Sequence, residues 1–141
     1  MKTTLIVTTY NRPDALEAVL KSIEHQVVMP DEVIVADDGS RDETRQLVER
    51  YMNGFPTQLL HCWHEDRGFR LSEIRNKAIL QSTGDYIIMV DGDMVLNRNF
   101  VRDHIMLACP KQFIQGSRVL MSQQLTDEYL HKNNKIGRAH V

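Results

Sequence analysis

The chain has 141 residues, 42% of them hydrophobic and 26% charged, with a formal net charge of −2. That length supports one domain with a sizeable core, and the near balance of charge leaves no basic stripe for nucleic acid or acidic lipid. No apolar run is long enough to span a bilayer, and Met1-Lys2-Thr3-Thr4 leads into a strand pattern without room for a signal peptide.

From the N-terminus, strand and helix patterns alternate. Residues 4–8 form a β-branched run, ended by Tyr10-Asn11-Arg12-Pro13. Pro13 opens a helix with Asn11 as its cap and Leu16, Val19, Leu20 and Ile23 on its apolar face. Residues 32–36 give a second strand. Ser40-Arg41-Asp42-Glu43 then reads as a capping box for a helix with Leu47, Val48 and Tyr51 facing inward. Asn53-Gly54 stops that helix, residues 57–62 form a third strand, and residues 71–81 a third helix broken at Gly84. Residues 86–90 are a fourth strand. Beyond it the pattern predicts a helix over 100–107, a strand over 113–121 and a helix over 123–131. The order βαβαβαβ calls for an α/β fold with a parallel sheet, right-handed crossovers and helices on both faces.

The fourth strand, Tyr86-Ile87-Ile88-Met89-Val90, ends in Asp91-Gly92-Asp93. Two carboxylates held about 5 Å apart repel by roughly 1–3 kcal/mol, a cost that a divalent cation removes. Oxygen ligands alone suit Mg2+ or Mn2+, which share their coordination with water and substrate phosphates. By itself the triplet is also an ordinary turn after a strand. Its position matters because three other polar clusters fall at or just after strand ends: Thr8-Thr9-Tyr10-Asn11-Arg12, Asp37-Asp38-Gly39-Ser40, and His64-Glu65-Asp66-Arg67-Gly68-Phe69-Arg70. In a doubly wound sheet those ends converge on one edge.

The bland readings are a turn and helix cap for Asp37 to Ser40, and solvated charge for Arg67, Arg70 and Arg75. His64 reads as a loop residue, having no second His at ligand spacing. Trp63 is core or pocket wall, and Met89, Met94, Met106 and Met121 are core filler. Cys62 and Cys109 lack C-x-x-C spacing and read as reduced, buried thiols of a cytoplasmic protein.

Four segments together, T-T-Y-N-R-P, E-V-I-V-A-D-D-G-S-R-D-E-T, R-N-K-A-I and G-D-Y-I-I-M-V-D-G-D, resemble the family-2 glycosyltransferases in order and spacing over residues 3–95. G-F-R-L-S-E-I-R-N-K-A-I is similar to the subset of bacterial polysaccharide polymerases and galactosyltransferase-like enzymes. The resemblance implies a Rossmann-like GT-A fold and inverting, metal-assisted transfer of a sugar from a nucleoside diphosphate, with UDP as the nucleotide. It places Thr8, Tyr10 and Arg12 by the base and gives Asp38 a hydrogen bond from a uracil-type N–H, with Asp37 supporting the turn. It brings Arg70 to the base or diphosphate and sets Arg75 and Asn76 behind the pocket. Asp91 then contacts ribose or metal, and Asp93 binds the metal. The implied partners are a nucleotide-sugar donor and a saccharide or glycolipid acceptor. The implied place is the cytoplasmic face of a membrane, reached through regions outside this chain.

The resemblance puts the catalytic base downstream of the D-x-D, in an acceptor-binding half. Asp127-Glu128 comes too early and reads as a solvated helix start after Thr126, so no base is assigned. The last six residues, Ile136-Gly137-Arg138-Ala139-His140-Val141, translate a stretch that resembles a sequencing adapter. Residues 136–141 are therefore expected to be a non-native tail, and residues 1–135 the incomplete front part of a longer transferase. The alternatives are a haloacid-dehalogenase-type phosphatase, which places its nucleophilic Asp on the first strand, and a non-catalytic nucleotide-binding module. A nucleotidyltransferase needs a Gly-rich first loop, and residues 8–13 contain no Gly.

Overall fold

A computed structural model describes residues 1–135; the expected non-native tail lies outside them. The elements are β1 (Thr3–Thr9), α1 (Pro13–Glu24), β2 (Glu32–Asp37), α2 (Asp42–Met52), β3 (Gln58–Trp63), α3 (Leu71–Gln81), β4 (Tyr86–Asp91), α4 (Phe100–Leu107) and α5 (Gln123–Lys135). The strands form one parallel sheet in the order β3-β2-β1-β4. Both central strands, β1 and β2, are buried along their whole length, which is why their sequences are continuous β-branched and apolar runs rather than alternating ones.

The pleat divides the core in two. On one face Leu5, Val7, Val33, Val35, Ile88 and Val90 meet Leu16, Val19, Leu20 and Ile23 of α1, Leu47 and Val48 of α2, and Val101 of α4. On the other, Ile6, Ile34 and Ala36 meet Ile74 and Ala78 of α3. The chain therefore winds outward from β1 to β3 with α1 and α2 on one face. It then crosses the opposite face through α3 and lays β4 on the free side of β1. That reversal opens a crevice at the C-terminal ends of β1 and β4, the position where open α/β sheets bind ligands.

Several sequence expectations need correction. Residues 113–121 form no strand: they have strand composition but no ladder partner, and Phe113, Val119 and Leu120 are exposed. Met89, Met106 and Met121 are exposed rather than core filler; Met89 sits on β4, while α3 covers β1, β2 and β3. Cys109 is exposed, and Cys62 is half-buried, where burial pushes its thiol up despite the opposing charge of Lys77. Gly84 does not end α3, which stops at Gln81 with the Ser82 N–H on the Ala78 and Ile79 carbonyls. It lies where a Cβ would come within 2.4 Å of the Thr4 hydroxyl. Asp127 and Glu128 lie inside α5 rather than at its start, where the Ser122 hydroxyl accepts the Leu125 N–H.

Candidate functional site

The strand ends form a cavity of about 400 Å³ lined by Thr8, Thr9, Tyr10, Arg12, Asp38, Asp66, Gly68, Phe69, Leu71, Asp91, Gly92 and Asp93. Five of the six residues expected at the nucleotide are in this wall, as are both expected metal ligands. The exception is Arg70. It is the N-cap residue of α3, and its guanidinium turns to the Glu65 carbonyl and to Glu73 at 3.1 Å. Its backbone N–H instead reaches the site, donating to Asp38 Oδ2 at 2.9 Å.

The Asp-Gly-Asp turn is set by a close approach. A Cβ on Gly92 would lie 2.3 Å from the Thr8 carbonyl oxygen and 3.2 Å from Thr9 Cβ, so glycine lets the end of β4 lie against the end of β1. Asp91 then receives the Thr8 hydroxyl and Arg75 Nη2, each at 3.2 Å and both on Oδ1. Its Oδ2 takes no protein donor among the described residues, and neither does the exposed carboxylate of Asp93. The crevice thus presents carboxylate oxygens without protein partners, a donor set that suits a hard divalent cation shared with phosphates. No group of three or more potential ligands gathers among the described residues, so a cation here would draw its remaining ligands from water and substrate.

Asp37 and Asp38 divide their work. Asp37 is fully buried and outside the cavity wall; it accepts the Ser40 N–H at 2.9 Å and faces His61 Nε2 at 2.8 Å. Asp38, 4% exposed, faces the cavity and takes His64 Nε2 on Oδ1 at 2.5 Å. Gly39, at φ +91°, leaves the turn where a Cβ would come within 2.5 Å of the Asp66 backbone. This is a left-handed conformation that glycine adopts at little cost.

The two expected helix caps pair with each other. Asn11, itself left-handed at φ 49°, does not cap α1; its Oδ1 accepts the Arg41 N–H, while the Ser40 hydroxyl accepts the Asn11 N–H, both at 2.8 Å. Neither α1 nor α2 has a side-chain cap. The hydroxyl and amide that a capping rule assigns along the chain are used across it, to lock the β1–α1 loop to the β2–α2 loop.

At the mouth, Tyr10 donates its hydroxyl to Asp66 at 2.8 Å. The bond pushes the Tyr10 phenol up and holds the Asp66 carboxyl below its usual range. Arg12 lies beside them, paired with Asp14 at 3.2 Å. Asn76 is exposed on α3 and outside the wall. Trp63 is exposed, with its indole N–H on the Ser40 carbonyl.

The sequence reading gives no role to Thr9, Asp66 or Phe69. Thr9 is 7% exposed, yet its hydroxyl has no partner among the described residues. A second hydroxyl at a strand end was the available signal. Phe69 stands 89% exposed at the rim, and nothing in its surroundings could be read from sequence. His64, read as a plain loop residue, is 8% exposed and hydrogen-bonded at both ring nitrogens.

Comparison with known proteins identifies the family of the chain. The model for Glycosyl transferase family 2 matches residues 4–140. Hyaluronan synthase of Pasteurella multocida is 33% identical over 102 residues, 72% of this chain and 10% of that protein. The crystal structure of Staphylococcus aureus TarS 1–349 in complex with UDP-GlcNAc aligns with a TM-score of 0.67 at 33% identity, covering 75% of this chain and 30% of that one. Pyrobaculum calidifontis mannosyltransferase PcManGT, in complex with GDP-Man and Mn2+, aligns with a TM-score of 0.68 at 30% identity, covering 77% and 33%. The chain thus spans a third or less of the length of these relatives. The phosphatase alternative falls with the family match and with the position of the Asp-Gly-Asp after the fourth strand. From its sheet order, its strand-end cavity and these matches, the chain belongs to glycosyl transferase family 2.

Proposed function

We propose that this chain forms the donor side of an inverting sugar transferase, binding a nucleoside diphosphate-sugar in the crevice between β1 and β4. The carrying observation is the convergence of Thr8, Tyr10, Arg12, Asp38, Asp91 and Asp93 on one cavity. Asp38 accepts the imide N–H of uracil, and Tyr10 and Arg12 flank the base. Asp91, held by Thr8 and Arg75, accepts a ribose hydroxyl through its open oxygen. Mn2+ or Mg2+, held by Asp93 with Asp91, would supply positive charge where the diphosphate leaves.

In the transfer, the acceptor hydroxyl oxygen bonds to the anomeric carbon as the bond to the diphosphate breaks. The diphosphate keeps the electron pair, and the hydroxyl proton passes to a carboxylate base. Asp127 and Glu128 are exposed on α5, paired with Gln123 and Gln124, and outside the cavity wall. They do not supply that base. A saccharide or glycolipid acceptor, at the inner face of a membrane, agrees with relatives that build polysaccharide. Among the described residues no helix is long and apolar enough to cross a membrane.

UDP is the favoured nucleotide, supported by the TarS complex with UDP-GlcNAc. The PcManGT complex with GDP-Man supports a second reading, in which guanine N1–H meets Asp38 in place of uracil N3–H. Calorimetric titration of UDP, GDP and CDP in the presence of Mn2+ tests both. Binding of UDP ahead of CDP is expected. Preference for GDP transfers the reading to guanine, and no diphosphate binding by a folded chain contradicts it.

A further inference from the structure

Asp38 is nearly buried, yet neither of its carboxylate oxygens is idle. Oδ1 meets His64 Nε2 at 2.5 Å, and Oδ2 accepts the Arg70 N–H at 2.9 Å. The other nitrogen of the same imidazole, Nδ1, lies 2.9 Å from Lys77 Nζ. An ammonium can only donate, so Nδ1 must be the unprotonated nitrogen and Nε2 carries the hydrogen given to Asp38. Among the described residues Lys77 also faces Glu73 at 3.6 Å. The chain Lys77–His64–Asp38 therefore runs from the surface of α3, through an imidazole 8% exposed, to the cavity wall.

We infer that His64 and Lys77 are positioning residues for nucleobase recognition. Each Asp38 oxygen uses one lone pair on a protein donor, which fixes the plane of the carboxylate and leaves a second lone pair for a base N–H. Lys77, by donating to Nδ1, fixes Nε2 as the nitrogen that donates to Asp38 and so holds the carboxylate in one orientation as an acceptor. The pair thus sets discrimination between bases that present an N–H and bases that present a lone pair. This inference rests on the proposed donor-binding reading.

The experiment compares UDP with CDP by calorimetry in wild type, His64→Leu, His64→Gln and Lys77→Met, after circular dichroism of each. Uracil offers N3–H where cytosine offers a bare nitrogen. In His64→Leu, UDP affinity should fall about tenfold, as loss of one charge-assisted hydrogen bond implies, and the UDP-to-CDP ratio should fall towards one. A glutamine can donate to Asp38 and accept from Lys77 at once, so His64→Gln should restore the ratio, which a purely packing role would not produce. If His64→Leu does not fold, Lys77→Met decides: its side chain is 43% exposed, and a UDP-to-CDP ratio equal to wild type overturns the proposal. So does an unchanged ratio in a folded His64→Leu. Failure of wild type to bind any nucleoside diphosphate would instead overturn the donor-binding reading itself.

Discussion

Thr9 and Gly92 show how the site shapes the chemistry of single residues. A buried hydroxyl without a partner costs about 1–3 kcal/mol, and Thr9 carries one in the cavity wall. The cost makes sense if a ligand supplies the missing bond. Thr9→Val keeps the shape and removes the hydroxyl, so thermal melts should show equal or higher stability while calorimetry shows UDP affinity falling about tenfold. Gly92→Ala should act in the opposite sense. Its methyl group would press on the Thr8 carbonyl, and overpacking of this kind costs typically 1–3 kcal/mol. Urea melts should show that loss, with nucleotide binding falling as Asp91 and Asp93 shift. The Asp-Gly-Asp pattern itself was legible in the sequence; the reason for its glycine was not, because it lies in β1, against the Thr8 carbonyl far back along the chain.

At the level of elements, the sequence was legible wherever local pattern and tertiary demand agree. The spans of α3 and α4 match the periodic reading, and the four strands are displaced by a residue at most at either end. It misled where a side chain serves a partner distant in sequence. Asn11 and Ser40 have capping chemistry but spend it on each other's loops, and residues 113–121 have strand composition without a pairing edge. Glu32 is a further case. It opens β2, is 1% exposed, and accepts the Thr4 hydroxyl and the Thr83 N–H, tying three parts of the sheet's lower edge. Burial pushes its carboxyl up, but these hydrogen bonds outweigh it and the net direction is below its ordinary 4.5. A carboxyl depressed in the folded state contributes stability above its unfolded value, and that stability is lost as pH falls through the folded value. Denaturant midpoints of wild type should therefore drop as pH falls below about 4.5, whereas Glu32→Gln should be less stable at pH 7 and show a shallower acid limb. Parallel acid limbs would show that Glu32 contributes nothing to it.

For the whole molecule, the central link runs from topology to chemistry. Winding β1, β2 and β3 with helices on one face, then crossing through α3 to β4, brings residues 8–12, 37–40, 64–71 and 91–93 to one edge. That convergence was readable from the βα order alone. The contacts that tune it, including the His64 bridge to Asp38 and the guanidinium of Arg70 turned towards Glu65 and Glu73, depend on side-chain directions that sequence does not encode locally. The proposed donor site depends most on a cation held at Asp93 beside a nucleoside diphosphate. The direct measurement is calorimetric titration of UDP into the folded chain with Mn2+ and again with EDTA, for wild type and Asp93→Ala. On the proposed reading, UDP binding weakens at least tenfold in EDTA, about 1.4 kcal/mol, and the variant is folded and binds equally weakly in both conditions. Binding indifferent to Mn2+ in wild type, or a Mn2+ response intact in Asp93→Ala, would contradict it.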